Sequence, residues 1–350
     1  MPQKTAVILF NLGGPDSQQA VQPFLFNLFN DPAIIRLPNP FRWLLAKLIA
    51  TRRAPKAAEI YAQMGGRSPI LPQTQAQATA LQAALGSDDY AVFIAMRYWK
   101  PFADDAARAA RDWGAERVIL LPLYPQFSTT TTASSLRDWR RAAKRAGLDV
   151  PTAAIGCYPD EGGFIAAQAL LLQRALDQAE TAGPQDAPLR LLFSAHGLPK
   201  KVVTDGDPYQ MQVERSVAAI LRRLDRPAID SVICYQSRVG PLEWIGPATD
   251  AEIERAAKDG CRIVVVPVAF VSEHSETLVE LDIEYAELAH GHGAAAYIRV
   301  PAVGTEPDFI TGLAGMVKRA RVDDGQPRCG SGARPCGNAW RRCICTDQGV

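Results

Sequence analysis

The sequence predicts an α/β fold of two similar, doubly wound (Rossmann-like) parallel-sheet domains facing a cleft, and three observations carry that prediction. Short, continuously apolar runs rich in β-branched residues alternate with helical patterns, as buried parallel strands alternate with their crossover helices. The order of elements in the first half recurs in the second. A chain of 350 residues with 47% hydrophobic content is long enough to divide into two domains around a large core.

The first half opens with a strand at Ala6–Asn11, an apolar run entered almost at once from the N-terminus. A second strand at Ala91–Met96, a helix at Asp104–Trp113 closed by Gly114, and a strand at Arg117–Pro122 follow, ending in a hydroxyl-rich loop, STTTTASS, at 128–135. The second half repeats this order with strands at Leu189–Ala195 and Ser231–Tyr235, a helix at Asp250–Lys258, Gly260, and a strand at Arg262–Val271. Right-handed βαβ crossovers then give two parallel sheets. The expected domains are 1–150, with a lip at 33–56, and 151–320, followed by a Cys-rich tail at 321–350. Gly13 and Gly14 read as a tight turn lining the cleft, because the GxGxxG of a dinucleotide site is missing.

Net charge of +1 argues against nucleic acid as a partner. No apolar run reaches the ~18 residues of a membrane span, and MPQKTAVILF leaves no room for a signal peptide before the first strand. The expected location is the cytoplasm.

Between Arg262 and Arg299 there is no Lys or Arg, yet residues 273–287 carry Glu273, Glu276, Glu280, Asp282, Glu284 and Glu287 around His274. On a helix the five glutamates recur at steps of three and four and share one face. Like charges so placed repel, so the segment reads as a face that handles cations or protons, with a solvated acidic face as the alternative. It begins where a buried strand ends, and the carboxyl ends of strands are where open α/β sheets bind ligands. His196 stands likewise after the strand at 189–195, so two of only four histidines lie just beyond two core strands.

The motifs NLGGP at 11–15, RRAPK at 52–56, GGRSPI at 65–70, MRYW at 96–99, SAHGLP at 194–199, YQSRVGPLEW at 235–244 and VSEHSETLVELDIEY at 271–285 occur in one order. From about residue 5 to about residue 320 the chain resembles the ferrochelatases, which insert ferrous iron into a porphyrin at the end of haem synthesis. The resemblance implies a chelatase-like fold and protoporphyrin IX and Fe2+ as substrates. It assigns the pyrrole-facing catalytic role to His196 with Glu276 as partner, and continues a path for iron or protons through His274, Glu280 and Glu284. A neutral imidazole suits proton removal, and an incomplete set of imidazole and carboxylate ligands suits an ion that must be passed on. By the same resemblance Leu12, Tyr98, Phe270 and Trp244 face the ring, and Arg52, Arg53, Ser68, Arg97 and Ser237 serve the propionate end. Two other readings stand beside the enzyme: a redox-sensing haem- or metal-binding protein without turnover, and a cobalt or nickel chelatase of another tetrapyrrole. Monomer and homodimer are both compatible with the sequence.

Residues 32–58 carry Arg36, Arg42, Lys47, Arg52, Arg53 and Lys56 without one acid, interleaved with Phe41, Trp43, Leu44, Leu45, Leu48 and Ile49. Such a basic amphipathic segment fits an anionic membrane surface, here peripheral contact with the inner membrane, or an ordinary helix packed on the core. The tail concentrates Cys329, Cys336, Cys343 and Cys345, a density that argues for metal before disulfide inside a cell. C-x6-C-x-C lacks the paired CxxC of a zinc ribbon. Some ferrochelatases are similar in holding a [2Fe–2S] cluster with three C-terminal cysteines and one from mid-chain. That resemblance implies Cys157, Cys336, Cys343 and Cys345, while Cys329 in place of Cys157 would make a purely local site.

Overall fold

The computed structural model describes residues 3–226, 228–238, 240, 242–321, 328–330, 336–337 and 339–345. Its strands are β1 (Thr5–Asn11), β2 (Tyr90–Met96), β3 (Arg117–Pro122), β4 (Thr152–Cys157), β5 (Leu189–His196), β6 (Ser231–Gln236), β7 (Arg262–Pro267), β8 (Ala296–Arg299) and β9 (Arg328–Cys329). The helices are α1 (Val21–Phe29), α2 (Phe41–Ala62), α3 (Ile70–Leu85), α4 (Ala103–Trp113), α5 (Thr132–Ala146), α6 (Gly162–Thr181), α7 (Lys200–Thr204), α8 (Tyr209–Arg223), α9 (Thr249–Lys258), α10 (Tyr285–Gly291) and α11 (Pro307–Arg321). A π-helix spans Glu276–Glu284.

One sheet runs β2-β1-β3-β4-β9 and the other β6-β5-β7-β8, with every pairing parallel. The order 2-1-3-4 reappears as 6-5-7-8, which is the internal repeat read from the sequence. Its punctuation repeats too: Gly114 and Gly260, at φ +81° and +67°, close the helices α4 and α9 in the left-handed conformation that glycine takes without a Cβ penalty.

The halves are not separate units. β4 pairs with β3, so the first sheet extends past the boundary expected at residue 150, and β9 of the tail joins it at β4. Helix α11, expected in the second domain, packs on α3 and α6. Val7, Leu9, Ile119 and Leu121 from the first sheet share one buried cluster with Leu191, Phe193, Val264 and Val266 from the second. A continuous apolar core fixes the relative position of the two sheets and hence the width of the cleft at their edges.

Two elements differ from the sequence reading. The strand expected to run to Val271 stops at Pro267, and Val268 N then donates to Ser194 O at 3.1 Å, turning the chain across the end of β5. The acidic segment is not an α-helix but mostly a π-helix, whose i→i+5 hydrogen bonds are rare and found mainly at functional sites.

Candidate active site

Parallel pairing places the carboxyl ends of β5, β6 and β7 side by side, with His196 directly opposite Gln236. His196 Nδ1 lies 2.8 Å from Glu276 Oε2 on the first turn of the π-helix. His274 Nε2 approaches the same carboxylate oxygen at 3.8 Å, so the sequence-predicted trio forms one line. Phe270 packs against the His274 ring, with centroids 4.7 Å apart.

The surroundings of this line shift each member's pKa in its own way. Burial works against the Glu276 carboxylate, but the His196 charge and its hydrogen bond win and bring the group down to about 2. Burial also opposes the His196 imidazolium, yet Glu276 lifts its pKa above the ordinary value. His274 is 7% exposed, and there burial prevails, lowering its pKa and keeping the ring neutral. The His196 and Glu276 side chains nevertheless keep 40% and 25% of their exposure. The pair is therefore partly solvated and ready to meet a ligand.

Glu280 is held by Ser237 N at 2.9 Å, Ser237 Oγ at 2.5 Å, Gln236 Nε2 at 3.1 Å and Tyr285 OH at 3.0 Å, all donating to its carboxylate. Burial first, and then the neighbouring Glu276 charge, raise its pKa. Beyond it opens a cavity of about 600 Å³ whose lining includes Glu280, Glu284, Trp244, Lys56, Arg238 and Leu242. This space adjoins His196 without including it: a Cβ on Gly197 would stand 3.2 Å from both Trp244 and the Arg238 stem.

Several expectations change. The acidic stripe is not wholly uncompensated, because Arg299 from β8 binds Glu273 at 2.8 Å and Asp282 at 2.5 Å. Those two acids are structural, and Glu276, Glu280 and Glu284 are what face the cleft and its cavity. Arg97 is not free for a propionate: its guanidinium donates to Ser134 Oγ at 2.8 Å and pairs with the buried Asp31 at 2.8 Å. Tyr98 is 1% exposed and donates to the same Asp31 at 2.9 Å, so it belongs to that buried knot and not to an open ring wall. Ser237 is likewise engaged with Glu280, and Ser68 is buried against Gly14, where a Cβ would sit 2.5 Å from it. Leu12, Phe270 and Trp244 are partly exposed, while Arg52 and Arg53 on α2 are exposed cations.

The sequence reading missed Lys56 and Arg238 as cavity cations, although both lie inside quoted motifs. It also missed Tyr61 of α2, beside Ser275 and Glu276, where burial pushes the hydroxyl up to about 12. Nothing in the local pattern around Tyr61 marks it.

All five cysteines discussed above are brought together. Cys157, Cys329, Cys336 and Cys343 are buried, Cys345 is half-buried, and none is in a disulfide. Cys157 and Cys329 meet at 3.6 Å between Sγ atoms, and Gln212 Nε2 donates to Cys157 at 3.4 Å and Cys336 at 3.0 Å. The remainder of the tail lies outside the described residues.

The chain is similar to known proteins of one family. The ferrochelatase family model matches residues 4–321. A ferrochelatase from Caulobacter vibrioides is 52% identical over 352 aligned residues, covering 99% of each chain. One from Hyphomonas neptunium is 50% identical, covering 98% of this chain and 95% of its own. Among solved structures, a sirohydrochlorin chelatase from Bacillus subtilis subspecies spizizenii superposes with a TM-score of 0.50 at 12% identity, covering 93% of this chain and 97% of its own, a likeness of fold alone. On the family match and the near full-length identity together, the chain belongs to the ferrochelatase family.

Proposed function

We infer that this cleft inserts ferrous iron into protoporphyrin IX, as a porphyrin metal chelatase of the lyase class. The observation that carries the reading is the His196–Glu276 pair at the cleft, with His274 held neutral on the far side of the carboxylate. Insertion breaks two pyrrole N–H bonds, forms four Fe–N bonds, releases two protons and moves no electron. With Nδ1–H given to Glu276, the neutral His196 ring leaves Nε2 as a lone pair for the pyrrole proton. The ionised Glu276 stabilises the imidazolium that forms. Glu280, whose pKa is raised, supplies a protonatable step toward the cavity that Glu284 also lines. Imidazole and carboxylate together suit borderline Fe2+ during its delivery. Lys56, Arg238, Arg52 and Arg53 are the cations available to propionates.

The test is anaerobic Fe2+ and protoporphyrin with substoichiometric protein, following the Soret change. Repeated turnovers support the reading. A change that stops at one equivalent of porphyrin points to a binding protein instead.

The tail serves as the seat of a [2Fe–2S] cluster on Cys157, Cys336, Cys343 and Cys345, with Cys329 dispensable. Five cysteines outside any disulfide, gathered around Cys157 and Cys345, suit a soft metal–sulfur centre. Among the described residues no three ligand side chains converge on a single ion, and a two-iron cluster takes its thiolates as pairs. Such a centre would supply structure and redox sensitivity, since the reaction itself transfers no electron.

The lip meets an anionic membrane surface peripherally. Phe41, Leu44 and Trp43 of α2 are 65%, 56% and 42% exposed, Leu242 across the cleft mouth is 60% exposed, and Lys47 lies over Trp43 at 5.1 Å. No helix among the described residues is long and apolar enough to cross a membrane.

A further inference from the structure

We propose that Gln77 is a positioning residue for iron insertion: from α3 it holds the turn at 271–273 that aims His274 and Glu276 into the cleft. The inference rests on the reading of His196, Glu276 and His274 given above.

The Gln77 side chain has no exposed surface. Its Nε2 donates to Val271 O at 2.7 Å and to Gly304 O at 2.9 Å, and its Oε1 accepts from Ser272 Oγ at 3.0 Å. Both donors and one lone pair of the amide are therefore spent on the second half of the chain. One turn earlier on the same helix face, Gln73 Oε1 accepts from Glu273 N at 2.7 Å. Thr74 Oγ1 accepts from Asn11 Nδ2 at 2.9 Å, and Asn11 Oδ1 accepts from Leu12 N at 2.8 Å. A single face of α3 thus grips both the porphyrin-side turn at Leu12 and the root of the acidic segment. The grip reaches the chemistry within a few residues, because Thr277 Oγ1 accepts from His274 N at 3.0 Å and so ties His274 to the first turn of the π-helix.

Adhesion alone does not call for an amide at 77. Ile70, Leu81 and Leu85 already give α3 a buried apolar face, and a buried amide is costly unless its directional bonds are met. What three such bonds add is a fixed position for residues 271–273.

The experiment compares full-length Gln77→Met and Ser272→Ala with the parent, using Fe2+ and protoporphyrin anaerobically, and porphyrin fluorescence quenching for binding. The expected result for Gln77→Met is a kcat at least about tenfold lower, with the porphyrin Kd within about threefold. The two readouts should separate because Glu276, Glu280 and His274 ride on the segment that Gln77 anchors. Ser272→Ala should lower kcat less, with the porphyrin Kd again within about threefold. A folded Gln77→Met protein with parental kcat, and only a lower Tm, makes the residue a stability element and overturns the proposal. If Gln77→Met does not fold, parental behaviour of Ser272→Ala overturns it equally. An active His196→Ala protein would take down the site reading and this inference together, whereas an inactive one beside a normal Gln77→Met would remove this inference alone.

Discussion

Replacing Glu276 by Gln keeps the shape of the side chain and its capacity to accept the His196 Nδ1–H, and removes only the charge. Coulomb's law at about 4 Å gives roughly 1 kcal/mol in water and roughly 4 kcal/mol in an effective dielectric of ~20. The His196 and Glu276 side chains are 40% and 25% exposed, so the lower part of that range applies, and the imidazolium loses about tenfold in stabilisation. Two consequences separate. The plateau rate falls by about that factor, because charge that develops on His196 in the transition state is no longer met. The acid limb of the rate profile moves to lower pH. The sign follows from the pair: Glu276 raises the His196 pKa, so in the parent the ring is protonated and unable to accept a pyrrole proton until pH passes above the ordinary imidazole range. Without Glu276 the ring becomes neutral at lower pH, and activity there is retained better relative to the plateau. Glu276 itself, brought down to about 2, contributes no inflection near neutrality. The assay is kcat/KM for iron insertion measured on both sides of pH ~6.5. An acid limb that coincides in the two proteins would refute the coupling, and with it the assignment of His196 as the group that must be neutral.

His196→Ala, folded by circular dichroism, should bind porphyrin nearly as the parent does and lose about 10²- to 10⁴-fold in turnover, whereas a loss under about threefold would make the base assignment wrong. Glu287→Gln, on the exposed far end of the acidic segment, should leave turnover close to the parent's while Glu276→Gln does not; equal small effects would return the stripe to a solvated face. Asp31→Ala removes the buried carboxylate that accepts from Arg97 and Tyr98, while Arg97, 18% exposed, keeps Ser134 and Asp138, so it should cost about 1–3 kcal/mol of stability, read as a lower denaturation midpoint with porphyrin affinity little changed. Cys157→Ser should lose visible absorption and iron, and Cys329→Ser should keep them; the reverse pattern would assign the cluster to the tail's own cysteines.

What was legible in the sequence was whatever periodicity and chain order can encode. IVVVPVAFV and LRLLFSA announce buried strands by composition, and once they lie in parallel sheets their next residues must meet at one edge, which is why His196 and His274 could be paired before any coordinates. The misreadings share a physical cause, which is that charge compensation is settled by tertiary contacts. Arg299 neutralises Glu273 from 26 positions away along a neighbouring strand, and Asp31 claims Arg97 from 66 positions away. A window along the chain sees neither partner, so Glu273 looked uncompensated and Arg97 looked available. The π-helix was invisible for a related reason. Its extra residue per turn is sustained by Ser237, Gln236, Tyr285 and Tyr297 bonding to Glu276, Glu280 and Leu281, and all four lie outside Glu276–Glu284. Local propensity favours the α-helix there, and the cleft overrides it. Where a strongly patterned stretch departs from its local preference, the departure marks the surface on which outside contacts, and hence function, act.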